Sequence, residues 1–196
     1  MLRHAGYQLH DPTIDITLPS AAVVGPRYCS DSLLARLRQA SVPDLFGTSH
    51  SPLLALAEAG ATNGEISTLK ASSVDLVSGH VTLCGNIRTS SRINPLTEWG
   101  LGVLRTRLLS AAPEDSVLVT AQGGYASPVV VSQYFQQLVN LSRVYGKRIT
   151  IDSVRYWGAL QVYERTQRIE EAAHFLGNAS LNTVANGLGI DWRRNK

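Results

Sequence analysis

Thiols are scarce in this 196-residue sequence. Cys29 and Cys84 are the only two, far apart and without metal-ligand spacing around either. That excludes a disulfide scaffold and a zinc box, and free thiols in a reducing compartment are the simple reading. No apolar run approaches the roughly 18 residues of a membrane span. The start, Met1 to Tyr7, lacks the basic-then-apolar plan of a secretory leader, so a cytoplasmic protein is expected. The five histidines (His4, His10, His50, His80 and His174) show no paired metal spacing, and no Walker loop or serine elbow is present. No metal and no cofactor is expected. His174, on an apolar helical stretch, is expected to be packed.

What is present describes a folded chain. The hydrophobic fraction is 44% and the charged fraction 17%, the balance of a globular domain long enough to bury a core. Charge is uneven. Residues 1–84 hold five Lys and Arg against seven Asp and Glu, whereas residues 85–196 hold thirteen against eight. Between 143 and 168 the basic residues are Arg143, Lys147, Arg148, Arg155, Arg165 and Arg168, against Asp152 and Glu164 alone. Such a skew suits a polyanion, although a solvated helical surface gives the same composition.

Residues 1–28, with Pro12, Pro19, Gly25 and Pro26, read as an extended arm or linker, and residues 29–196 as one domain with a short C-terminal tail. Ser30 or Asp31 suits the cap of a first helix over Leu33–Ala40, which Pro43 ends. A second helix is expected over Ser51–Ala59, closed by Gly60, and a short one over Asn63–Lys70. Val74–Cys84 splits into two β-rich runs around Ser78 and Gly79, the chemistry of a tight hairpin. A third strand around Arg92–Leu96 carries Pro95, which places it at an edge or strand end. Helical patterns return over Glu98–Ser110, Ser132–Tyr145, Ser153–Gln167 and Ile169–Leu176, with a last short helix from Ser180. Trp157, Leu160 and Phe175 read as core. The expected fold is mainly α with a small three-stranded antiparallel sheet.

Three stretches carry a resemblance. The first is Leu53 to Lys70, an apolar helix followed by Gly60, Glu65, Ile66 and Leu69. The second is the hairpin followed by Ser91-Arg-Ile-Asn-Pro95-Leu96. The third is Ile149 to Ala159 with Phe175-Leu-Gly-Asn178 behind it. In this order they resemble the tyrosine recombinase (phage integrase) family, whose catalytic domain carries a His-x-x-Arg-His box, a Leu-Gly-His and a nucleophilic tyrosine. The resemblance implies the catalytic-domain fold over about residues 30–190. It also implies that most of the family's catalytic side chains are replaced. Thr62 falls on the first arginine, and Arg88, with Arg92 close behind, lies nearest the lysine. Asp152 and Tyr156 fall on the two histidines, Asn178 on the third His or Trp, and Gly187 near the nucleophile. Only the arginine of the box remains, as Arg155.

Cleavage in that family needs an in-line nucleophile, cations on the phosphate and a proton donor. Thr62 offers no guanidinium fork, Asn178 no acidic proton and Gly187 no nucleophile. No catalytic residue is therefore assigned. The leading expectation is a catalytically inactive protein that binds double-stranded DNA as a regulator or recombination accessory factor, nucleoid-associated when bound. Arg88, Arg92, Arg143, Lys147, Arg148, Arg155, Tyr156 and Asn178 are its candidate contacts; packing is an equal reading for Tyr156, and a structural ion pair the alternative for Arg155. Two other readings stay open. One is a divergent strand-cleaving enzyme using Tyr156 or Tyr163, or completed by a partner in trans. The other is a protein–protein module, with Ile190 and Trp192 of the tail docking on a second copy or a recombinase partner.

Overall fold

The computed structural model describes residues 25–42, 50–120, 124–144 and 149–191. Helix α1 (Asp31–Ser41) starts where Ser30 Oγ accepts from the Leu33 amide, and buries Leu34 and Leu37. Helix α2 (His50–Glu58) is buried along its whole length, as its run of Leu and Ala requires, and forms the centre of the molecule. Helix α3 (Asn63–Thr68) opens with a reciprocal capping box between Thr62 and Glu65.

Three short strands follow in antiparallel order: β1 (Val74–Asp75), β2 (His80–Leu83) and β3 (Arg92–Pro95), with β3 at an edge as its proline demands. The β1–β2 connection departs from the expected tight turn. Asp75 pairs with His80, leaving a four-residue loop, because the Asp75 carboxylate accepts the Val77 and Ser78 amides and ends the strand early.

Helices α4 (Glu98–Leu108), α5 (Pro128–Leu141), α6 (Ile151–Thr166), α7 (Ile169–Leu176) and α8 (Leu181–Leu188) complete the chain. Helix α5 begins a turn before the expected Ser132, since Ser127 caps it and Pro128 fills the first helical position, where its missing N–H costs nothing. The main core joins α1, α2, the sheet, α4, α5 and the start of α6. A second apolar cluster packs α7 and α8 on the far side of α6. Trp157 and Phe175 are core, and Leu160 packs at the edge of the second cluster. His174 departs from expectation: it is exposed, on the outer side of α7.

Helix α1 is tied to this core by one polar hub. Arg38 makes a bidentate pair with the buried Glu58, at 2.8 and 2.7 Å, and its guanidinium lies over both the Trp99 and Trp157 rings. The Trp157 indole donates to Asp31 at 2.6 Å. Of the expected arm, residues 25–28 lie against the domain: the Arg27 amide donates to Gly187 O and the Arg27 guanidinium lies over the Tyr156 ring. The remainder of the arm, 1–24, lies outside the described residues, as does Pro43.

Candidate nucleic-acid interface

The ends of α2 and α7 meet the starts of α3 and α6 and the β2–β3 hairpin at one place. Helix C-termini leave carbonyls without intrahelical partners and carry partial negative charge. Two arginines and an asparagine answer both needs. Arg92 donates to Phe175 O, Ser90 O and Gly60 O, and with its remaining N–H groups to both oxygens of Glu65, at 2.7 and 3.1 Å. Asn94 donates to Ala59 O and Phe175 O. Arg155 donates to Gly60 O and Leu176 O, and pairs with Asp152 at 2.6 Å.

This corrects the expectation for Arg92. Strand β3 turns Arg92 and Asn94 inward and Ile93 outward, a polar-in pattern set by the carbonyls beneath. Arg92 is buried and all its donors are used, so it holds the hairpin to α7 and faces no groove. Its partner Glu65 is equally buried. Burial alone pushes the Glu65 carboxyl up, but hydrogen bonds from Arg92 and the Thr62 amide, with the Arg92 charge, outweigh it and hold the group below the ordinary glutamate range.

Arg155 stands between the two readings made of it. Its side chain is 9% exposed, and Asp152, on the first turn of α6 and 64% exposed, covers its outward edge. Two of its contacts are structural carbonyls and the third is a carboxylate, which a phosphate oxygen resembles in charge and geometry. Thr62 meanwhile caps α3 and accepts from Asn86 Nδ2 at 3.4 Å.

Of the two readings of Tyr156, its place in the structure is the packed one. It is buried in the second cluster, over Gly187 of α8. A Cβ at position 187 would overlap the Tyr156 ring, so the two residues share one space and only glycine fits opposite the tyrosine. Tyr163 packs partly buried against the same cluster. Asn178 turns its side-chain oxygen to the Ser180 amide, 2.9 Å away, at the cap of α8. Ile190 of the tail packs in cis on the second cluster, and Trp192 lies outside the described residues.

The exposed candidates are Arg88, in the β2–β3 turn, and Arg143, just past α5 with φ of 51°. Lys147 and Arg148 lie outside the described residues. Sequence reasoning passed over Ile87, which stands fully exposed beside Arg88. A β-branched apolar residue in the middle of a Gly-Asn-Ile-Arg-Thr turn was the available signal. Among the described residues no group of three His, Cys, Asp or Glu is placed to hold a metal ion. None of their helices is long and apolar enough to cross a membrane.

No family profile and no curated protein matches the chain. Solved structures do. The chain superposes on XerA recombinase with a TM-score of 0.71 and 22% identity, over 86% of its own length and 62% of that chain. A lambda integrase fragment (residues 75–356), in a dimer bound to a COC′ core site, gives 0.61 and 17%, over 86% and 60%. Tn1549 transposon integrase in complex with transposon right-end DNA gives 0.63 and 13%, over 96% and 68%. The chain thus spans about three fifths of the length of the first two. Among the described residues, eight α-helices and a three-stranded antiparallel sheet, in this order and superposition, are the fold of a tyrosine recombinase catalytic domain.

Proposed function

We propose that this chain binds duplex DNA without cutting it, as a regulator or accessory factor of recombination. One observation supports the non-cutting part: the Tyr156 ring fills the space over Gly187, the residue near which the resemblance puts the family's nucleophile. Tyr163, partly buried in the same cluster, and Thr62, spent on a helix cap, support the same reading. The DNA part rests on the fold, on the exposed cations Arg88 and Arg143, and on the basic stretch that continues through Lys147 and Arg148. Arg155 joins the contacts when a phosphate displaces Asp152.

The test is fluorescence anisotropy with a labelled duplex across a salt series. Binding is expected to weaken steeply with salt, and Arg88→Ala and Arg143→Ala each to reduce the slope by about one. These residues are better probes than Arg155, whose removal also takes structural donors from Leu176 O and from Gly60 O, the latter shared with Arg92. Affinity that ignores salt refutes the electrostatic interface. A covalent adduct on a nicked suicide substrate refutes the non-cutting assignment and favours a divergent enzyme.

A further inference from the structure

We infer that the β2–β3 turn is a preformed wedge that inserts Ile87 against the base stack of bound duplex DNA, from the minor groove, while Arg88 holds the adjacent phosphate. This rests on the DNA-binding reading above and adds to it a base-contacting residue.

The turn is rigid before any ligand arrives. The Asn86 amide donates to Thr89 O at 2.8 Å and the Thr89 amide returns to Asn86 O at 3.3 Å. The Asn86 side-chain oxygen accepts the Arg88 and Thr89 amides at 2.7 and 3.1 Å, closing an Asx turn inside the hairpin. Gly85, with φ of +75°, brings the strands together so closely that a Cβ there would sit 2.5 Å from Thr89 O. The base of the turn is bolted down. Ser90 donates its amide to Gly177 O, Thr89 Oγ1 donates to Glu65, and Arg92 holds Ser90 O from within. A tip so held loses little freedom on binding.

Its outermost residue breaks the local rule. Central turn positions take Gly, Asn, Asp or Ser, yet here stands isoleucine with 106% relative exposure, touching no core. Its sequence neighbours Asn86, Arg88, Thr89 and Ser90 are all polar. A protein-docking surface needs a broad buried patch, of order 1,000 Å², and the two exposed isoleucines of this hairpin, Ile87 at the turn and Ile93 on β3, do not supply one. A single aliphatic side chain flanked by arginine is the equipment of a minor-groove wedge, which unstacks one base step and kinks the duplex.

The experiment uses the whole chain and duplexes carrying 2-aminopurine at successive A·T steps, with donor and acceptor dyes at the ends. Wild type is expected to raise 2-aminopurine emission severalfold at one or two steps and to shorten the end-to-end distance. Ile87→Ser, a change at a solvent-exposed position, should abolish both signals with the salt dependence of binding unchanged. Arg88→Ala should weaken binding and reduce the salt slope while keeping the unstacking signal. Saturated binding with silent 2-aminopurine at every step overturns the wedge and leaves DNA binding standing, as does an Ile87→Ser protein that unstacks like wild type. No duplex binding at low salt overturns the DNA reading itself, and the wedge with it.

Discussion

Replacing Arg92 by alanine tests whether this arginine is an internal strut. The substitution empties a buried site and removes a donor from Ser90 O and one of two side-chain donors from Phe175 O and Gly60 O, which keep Asn94 and Arg155. It also leaves the Glu65 carboxylate buried with three weaker donors, the Thr62 amide and hydroxyl and the Thr89 hydroxyl. Breaking one side of a buried pair costs about 3–5 kcal/mol, and the remaining donors argue for the lower half of that range. For a chain of this size that is a fall in Tm of about 6–16 °C. Urea denaturation followed by circular dichroism reads it as a lower midpoint at constant slope.

The loss also has a defined pH dependence. In the wild type the folded Glu65 carboxyl lies below its unfolded value, so its contribution is present above about pH 4.3 and fades as pH falls through the depressed folded value. Without Arg92, burial pushes the carboxyl up against only the weaker hydrogen bonds from Thr62 and Thr89, and the charged form has lost its ion-pair partner at neutral pH. The gap between wild type and Arg92→Ala is therefore expected to narrow on acidification. Arg88→Ala, at an exposed position, should change stability by no more than about 0.5 kcal/mol. A loss under about 1 kcal/mol for Arg92→Ala, together with abolished DNA binding, would refute the strut and return Arg92 to the interface.

Three further outcomes are expected. Asp152→Asn should tighten duplex binding roughly two- to fivefold at low salt, by freeing Arg155; anisotropy in an Arg155→Ala background must show most of that gain gone, and a gain kept in full would mean generic charge removal. Gly187→Ala should cost about 1–3 kcal/mol through overlap with Tyr156, and Gly187→Tyr should destabilise more without producing a covalent DNA adduct on a suicide substrate. Ellman's reagent should find one fast thiol, the exposed Cys84; burial pushes Cys29 up to about 12, so at pH 8 only about one molecule in ten thousand carries that thiolate, and Cys29 should react only on unfolding.

Much of the fold was legible because its boundaries are written in short-range chemistry. Ser30, Thr62 and Ser180 cap helices within a residue or two of the expected starts, and Pro95 marks an edge strand. Misjudged boundaries have local causes as well: the Asp75 carboxylate cuts β1 to two residues, and Ser127 with Pro128 starts α5 early. The site was harder to read. Arg92 and Arg88 look alike in sequence, and what separates them is a glutamate far back in the chain and carbonyls of Gly60 and Phe175 that no pattern reveals. Tyr156 was ambiguous for the same reason, since the glycine that receives its ring lies on another helix. Ile87 was legible in principle, but only to a reading that treats an apolar residue in a turn as a signal.

The shared space of Tyr156 and Gly187 constrains how this protein can vary. Enlarging position 187 requires shrinking position 156 first, and shrinking 156 alone opens a cavity against α8. Either single step passes through a weakened protein, so the two positions form one epistatic unit. In sequences that keep this chain's local packing, a larger residue at 187 should therefore come with a smaller one at 156.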